Sequence, residues 1–531
     1  MNKRVLLFFR QATGLVVAIV CMLVTFHSVC VPVSAATTNY GLTLKNGSVM
    51  LNGKPYYAMG VNLYDAFLVY LRGNTKDQAG VEGEFRQLKE SGIPLVRISM
   101  CGYSGKEYGE YLDYPEYYFS CLDKVIAYAE KYEIGIVFDL CWAVDAIPDY
   151  YWGYRSDIGN ANSEVVKAAK AYVKDIVTRY KNSPAVWAWE IGNEYNLDAD
   201  LDGVLQREES KALSSDDIHV FYEELAKTIR SVDSYRLITG GDSEPRNAAY
   251  HLYHNNTWTA DSYSEMAQMM KKLSPEPMNM MSVHVYQDAD NSEQGAGSIT
   301  SDQIEDFDRQ VGWYVQAAKE ANQALFVGEF GIMERTCKDV SVAKEILKRQ
   351  YNAFMKHGVQ LSCIWVYGKD DGDPMNISPT NNLAYQYNVI VSGNERYRSE
   401  GKQDATAYWK SAKPLIYKEN TATTSTSTSS TTQTKPESRI TSVTSKQTSS
   451  IEQSDVESFA SQEVSAVTES DEVSVSSKSD HSANAPESQN GTWWVWLLVI
   501  IAILILAAGI VCFLIYKRRV TADNTNKEKK E

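Results

Sequence analysis

From residue 40 to residue 418 the chain alternates two hydrophobic patterns. Short, nearly continuous apolar runs occur at Tyr56–Val61, Pro94–Ile98, Ile134–Leu140, Ala185–Ile191, Arg236–Thr239, Met280–Tyr286, Ala324–Glu329 and Gln360–Tyr367. Such runs suit strands buried on both faces, as in a parallel sheet. Between them, apolar residues recur at helical spacing: Val81, Phe85 and Leu88; Tyr118, Leu122, Val125 and Ala129; Val166, Ala169, Val173, Ile176 and Tyr180. Eight alternations of this kind predict an α/β fold, a (β/α)8 TIM barrel. An open doubly wound sheet is the main alternative, weakened because no glycine-rich phosphate loop follows an early strand. Ahead of the first run, Leu42–Leu51 alternates around Asn46-Gly47, a pair that favours a tight hairpin turn. An N-terminal β-hairpin is expected there, placed to plug the barrel floor.

The two ends of the chain carry other patterns. Met1-Asn2-Lys3-Arg4, an apolar run from about Gly14 to Phe26, and Val33-Ser34-Ala35-Ala36 read as a signal peptide over residues 1–35, with an uncleaved anchor as the competing reading. Residues 419–491 are dominated by Ser and Thr and hold one phenylalanine, Phe459. A segment so poor in apolar surface cannot offset its chain entropy, so a disordered stalk is expected. Trp493–Tyr516 is uncharged and long enough to span a bilayer. Trp493, Trp494 and Trp496 stand at its outer end and Lys517-Arg518-Arg519 at its inner end, as interfacial anchoring and the positive-inside rule require. The expected topology is a single-pass protein of the cell membrane: residues 37–418 outside, as on a bacterial cell surface, and a cytoplasmic tail over 517–531.

Composition narrows the partners. A net charge of -15 opposes binding to phosphate backbones, which argues against nucleic acid and leaves neutral polymers open. The 34 tyrosines and 11 tryptophans supply flat apolar faces for sugar C–H groups, although most rings in any protein serve core packing. Of eight cysteines, Cys21 and Cys30 leave with the signal peptide and Cys512 lies in the membrane run. Cys101, Cys121, Cys141, Cys337 and Cys363 remain, an odd set without CxxC spacing. Neither a disulfide framework nor a zinc site is supported; a single bridge stays open.

In a barrel, function gathers where strands end at their C-terminal side. Those ends carry Asn62, Arg97, Asp139, Asn193-Glu194, His284-Val285-Tyr286, Glu329 and Trp365. Polar groups on otherwise apolar strands are costly unless satisfied, so their concentration at one end marks a site. Glu194 and Glu329 end the fourth and seventh strands, across the barrel mouth from one another. Two facing carboxylates suit glycoside hydrolysis, where one acid protonates the leaving oxygen and the other acts at the anomeric carbon. Retaining enzymes hold the pair about 5–5.5 Å apart, so that the second carboxylate attacks directly.

Trp187-Ala188-Trp189-Glu190-Ile191-Gly192-Asn193-Glu194 resembles the acid/base motif of glycoside hydrolase family 5, which contains cellulases and β-mannanases. Phe326-Val327-Gly328-Glu329-Phe330-Gly331 resembles its nucleophile motif, and Val96-Arg97-Ile98, His284-Val285-Tyr286 and Ile364-Trp365 fall where that family places further active-site residues. The resemblance spans about residues 40 to 380. It implies Glu194 as general acid and then base, Glu329 as nucleophile, and Asn193 as the partner of the sugar 2-hydroxyl. It further implies Arg97 and Tyr286 as hydrogen-bond donors that keep Glu329 ionised and aimed, His284 as support for the acid/base, and Trp365 as the platform beneath the sugar. No cofactor and no metal is implied, because protonation and carboxylate attack suffice. One departure stands out: the family commonly carries a histidine near the end of strand three, where this chain reads Phe138-Asp139-Leu140-Cys141-Trp142. Asp139 or Trp142 is expected to shape that corner instead.

Asp198, Asp200, Asp202, Gly203 and Glu209 match the spacing of a calcium loop, but no helix is expected before them, so an acidic substrate-loop insertion is the favoured reading. Asp370-Asp371-Gly372-Asp373 reads as a solvated turn. Segments 195–217 and 242–278 are expected to wall a cleft, with Tyr195, Tyr250, Tyr253 and Trp258 as sugar platforms. The function expected is retaining hydrolysis of a β-1,4-linked mannan or glucan at the outer cell surface. Exo-acting hydrolysis and transglycosylation are the alternatives within the clan, and an inactive carbohydrate-binding surface protein the alternative outside it.

Overall fold

The computed structural model describes residues 39–100, 104–205, 208–286, 301–332, 339–368 and 373–418. The expected signal peptide, stalk, membrane run and tail lie outside the described residues. Among the described residues no helix is long and apolar enough to cross a membrane.

The chain opens with a small antiparallel sheet, β1 (Leu42–Lys45), β2 (Ser48–Leu51) and β3 (Lys54–Pro55). Asn46 and Gly47 form its first turn with φ of 52° and 71°, the left-handed pair that Asn-Gly supplies. Eight parallel strands follow: β4 (Ala58–Asn62), β5 (Leu95–Ser99), β6 (Gly135–Cys141), β7 (Val186–Gly192), β8 (Leu237–Thr239), β9 (Met280–Val285), β10 (Ala324–Phe330) and β11 (Leu361–Ile364). Their order is β8-β7-β6-β5-β4-β11-β10-β9. Asn279 closes the ring between the two end strands: its N–H donates to the Ile238 carbonyl at 3.3 Å and its Oδ1 accepts from the Ile238 N–H at 2.8 Å. The barrel expected from the alternation is therefore present, and each strand lies close to its apolar run. The last run overshot, because Trp365 already leaves the ladder.

The helices between strands bury the stripes their periodicity prescribed. Glu164–Tyr180 starts at Ser163, whose side chain accepts from Val166 N–H, and buries Val166, Ala169, Val173, Ile176 and Tyr180 against the sheet. Ser215–Val232 starts in a capping box between Ser214 and Asp217.

Inside the ring the strands alternate with period two, so one residue in two faces the lumen. The layer nearest the floor is apolar: Ala58, Leu95, Val137, Ala188, Leu237, Met280, Phe326 and Leu361 pack with Leu42, Val49 and Leu51 of the hairpin. The hairpin does plug the floor. Gln360 fixes it there, accepting from Val49 N–H at 2.8 Å and donating to the Val49 and Tyr56 carbonyls, each at 3.1 Å. Trp187 packs beneath this layer against Tyr56, Tyr408 and Trp409, and a Cβ at Gly135 would come within 1.9 Å of its ring, so that position admits only glycine. Of the cysteines, Cys121, Cys141 and Cys363 are buried; Cys101 and Cys337 lie outside the described residues.

Candidate active site

Further along the same strands, the lumen-facing residues change character. Arg97, Asp139, Glu190, Thr239 and Asn62 are fully buried, and His284 and Glu329 are 1% and 6% exposed. Arg97 organises them. Its Nε donates to Glu190 Oε2 at 2.6 Å, one terminal nitrogen to Glu329 Oε1 at 2.8 Å and Asn62 Oδ1 at 3.1 Å, and the other to Asn193 Oδ1 at 2.8 Å. Burial alone would strip charge from this guanidinium; Glu190, Glu329 and Asp139 more than offset that and keep it charged. Its carbon lies 4.6 Å from the centre of the Trp142 ring, so Trp142 shapes the corner after strand three by a cation–π contact.

Glu329 enters the lumen through an irregularity. Val327 pairs with Val283, yet Glu329 pairs with His284, so Gly328 is an extra residue in β10. A bulge of this kind resets the strand's alternation and re-aims the next side chain. Glu329 thereby joins His284 on the inner face instead of pointing at the helices. A Cβ at Gly328 would lie 2.7 Å from His284 Nε2, so the bulge also calls for glycine. Tyr286 then donates to Glu329 Oε2 at 2.7 Å. Burial first, then the charge and hydrogen bond of Glu329, push the Tyr286 pKa well above its usual value, so this hydroxyl remains a donor.

Glu194 sits just past β7 with φ of 56°, a left-handed conformation that costs a non-glycine residue about 1–3 kcal/mol. Its N–H is held by the Gly241 carbonyl at 2.9 Å and the Asn193 N–H by the Trp142 carbonyl at 3.1 Å, so neighbouring strand ends impose the turn. His284 Nδ1 lies 2.9 Å from Glu194 Oε1 and 3.5 Å from Glu329 Oε1. One ligand-type atom from each of Glu194, His284 and Glu329 falls within 4.8 Å of the others, which places the two carboxylates face to face. Burial raises the Glu194 pKa, but the hydrogen bond and charge of His284 and the charge of Arg97 outweigh it and leave the group below its usual value.

Trp365 lines the mouth beside Tyr64 and Trp142, with ring centres 5.0 Å and 6.0 Å away. The seven candidate residues, Arg97, Asn193, Glu194, His284, Tyr286, Glu329 and Trp365, thus share one end of one barrel. Two contributors had no role assigned from sequence. Glu190 lies inside the strand-four motif, and the period-two spacing from Ala188 would have marked it as lumen-facing. Tyr64 gave no signal beyond its closeness to the end of strand one.

Other expectations fare differently. Tyr195 is no platform: it is 2% exposed and its hydroxyl donates to the Cys141 carbonyl. The Tyr253 hydroxyl is engaged by Asp216 at 3.0 Å, whereas Trp258 is 57% exposed. In the calcium-like loop, Asp198 pairs with Arg155 at 2.7 Å, Asp200 accepts from the Ser215 N–H at 2.9 Å and Asp202 from the Leu213 N–H at 3.1 Å. Asp200 and Asp202 tie the loop to the start of the following helix, and Asp198 ties it to the segment after β6. Among the described residues, only Glu194–His284–Glu329 and His251–Asp261–Glu265 bring three ligand-type side chains together for a cation. In the second set, Asp261 already accepts from the Tyr250 N–H and Glu265 from the Ser262 N–H. Asp373 accepts from the Met375 N–H in a turn at 2.8 Å; the three residues before it lie outside the described residues.

The chain resembles several known proteins. Mannan endo-1,4-beta-mannosidase F of Aspergillus clavatus is 24% identical over 341 residues, covering 60% of this chain and 69% of that protein. A probable mannan endo-1,4-beta-mannosidase F of Aspergillus flavus is 25% identical over 259 residues, 47% of this chain, and the chain spans about half (48%) of its length. Mannan endo-1,4-beta-mannosidase 8 of Oryza sativa subsp. japonica is 23% identical over 338 residues, 58% of this chain and 85% of that protein. The endo-1,4-beta-mannanase structure from Rhizomucor miehei superposes with a TM-score of 0.50 at 16% identity, covering 67% of this chain and 99% of that one, a likeness of fold. Residues 53–371, more than half of the chain, match the family described as Cellulase (glycosyl hydrolase family 5), and the chain belongs to that family.

Proposed function

We propose that the chain hydrolyses β-1,4-linked mannan with retention of configuration, Glu194 acting as general acid and base and Glu329 as nucleophile. The observation that carries this is the pair itself: a Glu194 oxygen and a Glu329 oxygen stand within 4.8 Å. Inverting enzymes separate their carboxyl groups by about 6.5–9.5 Å to admit a water between sugar and base. Mannan is preferred to glucan because the relatives compared above are named for mannan.

In the first step a Glu329 oxygen bonds to the anomeric carbon, the bond to the leaving oxygen breaks, and Glu194 delivers its proton to that oxygen. In the second, water attacks the anomeric carbon, Glu194 takes its proton, and the Glu329–sugar bond breaks. Arg97 and Tyr286 grip one Glu329 oxygen each, fixing its aim. Glu194 must begin protonated. A neutral sugar seated over the pair expels water and favours that form, against the pull of His284 and Arg97 in the open site. Arg97 engages the amide oxygen of Asn193, which turns the amide N–H2 away from the guanidinium and toward a ligand hydroxyl. Trp365 offers its ring as the floor of the sugar site.

The roles are tested with an aryl β-mannobioside bearing a good leaving group. Glu329→Ala is expected to lose activity by about 10³-fold or more and to yield α-mannobiosyl azide when azide is added. Glu194→Ala with azide is expected to yield the β-azide. Exchange of these two products between the variants would overturn the assignment.

We also infer, from the apolar and Ser/Thr-rich patterns at the chain ends, that the barrel works outside the cell on a membrane tether. Intact cells should cleave a mannan too large to enter them and lose that activity after external protease. Activity confined to lysates would sink the tether.

A further inference from the structure

The loop that follows β6 starts in the cleft and finishes outside it. Trp142 stacks with Tyr64 and Trp365 at the mouth; ten residues on, Tyr151, Trp152 and Tyr154 are 40%, 95% and 46% exposed. Leu112 and Tyr114 are each 40% exposed. Five of the eight large hydrophobic side chains exposed among the described residues thus fall in two short segments. Those segments adjoin: the Tyr108 ring of helix Gly105–Asp113 lies 5.3 Å from Tyr150 and 6.3 Å from Tyr151.

This exposure is built in. Arg155 grips both oxygens of Asp145, at 2.5 Å and 2.6 Å, and reaches Asp198 in the loop after β7 at 2.7 Å. The Tyr154 N–H donates to Asp157 at 2.8 Å, and the Tyr151 and Gly153 N–H groups both donate to the Pro148 carbonyl at 3.0 Å. Within this fixed turn Trp152 adopts φ of 53°, a backbone region that bulky side chains avoid. The loop therefore tolerates an unfavourable backbone and presents a large apolar ring to water. Patches of this kind in soluble domains mark contact sites. The same loop carries Trp142 at the cleft mouth, and Arg155 ties its far end to Asp198 in the loop after β7, so the exposed rings stand on the rim of the barrel mouth, where a polymer leaving the cleft would pass. Sugar rings suit that position: their C–H faces are apolar and stack on aromatic rings, and pre-fixed rings lower the ordering penalty of binding.

We propose that Tyr151, Trp152 and Tyr154 form a distal platform that holds units of the polymer chain remote from the bond being cleaved. This rests on the polymer-hydrolase reading above and adds to it an extended cleft, which favours endo action on long chains.

Wild type, Trp152→Ala and Trp152→Phe are compared on soluble polymeric mannan and on the aryl mannobioside, which has only two sugar units. Trp152→Ala should raise KM for the polymer about tenfold with kcat near wild type, as loss of an aromatic contact residue does. Trp152→Phe should restore most of that affinity, and kcat/KM on the mannobioside should stay within about twofold in both variants. An unchanged polymer KM overturns the platform. So does an equal loss on both substrates, which would show a collapsed loop. A wild-type dimer that Trp152→Ala converts to monomer in sedimentation also overturns it, since the patch would then serve a second copy. Failure of wild type to cleave either substrate overturns the hydrolase reading and the platform with it.

Discussion

The floor and the mouth of the barrel are built on the same eight strands and are buried to nearly the same degree, yet their chemistry is opposite. At the floor, Ala58, Leu95, Val137, Ala188 and Leu361 meet the hairpin and Trp187 in an apolar layer. Two residues on, the same faces carry Arg97, Asp139, Glu190 and Cys363, and beyond them His284 and Glu329. Burial by itself therefore does not mark function. The floor is held by apolar transfer and close packing. At the mouth, Arg97 binds Glu190, Glu329, Asn62 and Asn193 at once, the kind of pairing that buried charge requires. The residues that stabilise the barrel and those that do its chemistry should then be separable.

The largest expected separation pairs Glu329→Gln with Trp187→Ala. Glu329→Gln should lower kcat about 10³-fold or more while the melting temperature moves by only about 3 °C. Trp187→Ala should lower stability by about 3–5 kcal/mol, with kcat/KM per folded molecule nearly unchanged. Denaturant melts and active-site-normalised kinetics on both variants check this, and a folded Trp187→Ala protein with impaired chemistry would break the comparison. Next comes Tyr286→Phe, which deletes the 2.7 Å bond to Glu329. A hydrogen bond to a charged group is worth about 1.5–3 kcal/mol, so kcat should fall about 10- to 100-fold with little change in KM. A fall in stability without a fall in kcat would move Tyr286 from the site to the scaffold.

The smallest effect concerns Asp242, just beyond β8 and 7% exposed. Burial raises its pKa to about 7 although the Tyr222 hydroxyl, donating at 3.0 Å, works the other way. An unfolded aspartate titrates near about 3.9. The native carboxyl thus keeps a proton that the unfolded chain loses. Its contribution to stability is complete below about pH 4 and disappears as pH rises through about 7. Wild type should lose on the order of 2 kcal/mol between pH 5 and pH 8 that Asp242→Asn does not lose, read from urea melts at the two pH values. Parallel pH profiles for the two proteins would show that Asp242 is not kept neutral.

The fold was legible because parallel strands buried on both faces leave near-continuous apolar runs, and each of the eight runs became a strand. The polar residues at the strand ends were legible for the complementary reason: charge on such a strand needs a purpose. Exposure was not legible. Tyr195 was expected to offer its ring to sugar but turns inward to the Cys141 carbonyl, while Trp152 stands in solvent without a periodic pattern to announce it. The acidic spacing from Asp198 to Glu209 matches a calcium loop, yet Asp200 and Asp202 accept from backbone N–H groups at the start of the following helix; the two uses of an aspartate look alike in one dimension.

The sequence by itself determined the order of elements, the apolar strand runs, the Asn46-Gly47 turn and the identity of the groups at seven of the eight strand ends. All of these are local, set by periodicities of two and of 3.6 and by the backbone preferences of single residues. The tertiary structure alone decided which way Glu329 points. Side chains alternate along a strand, and β10 changes phase at Gly328 only because its pairing with β9 slips there by one residue. It likewise decided that Arg97 would join Glu190 to Glu329 across the lumen, and that strand ends on either side would hold Glu194 in a left-handed turn. Register and cross-barrel contact depend on partners distant in the chain, and no local pattern records them.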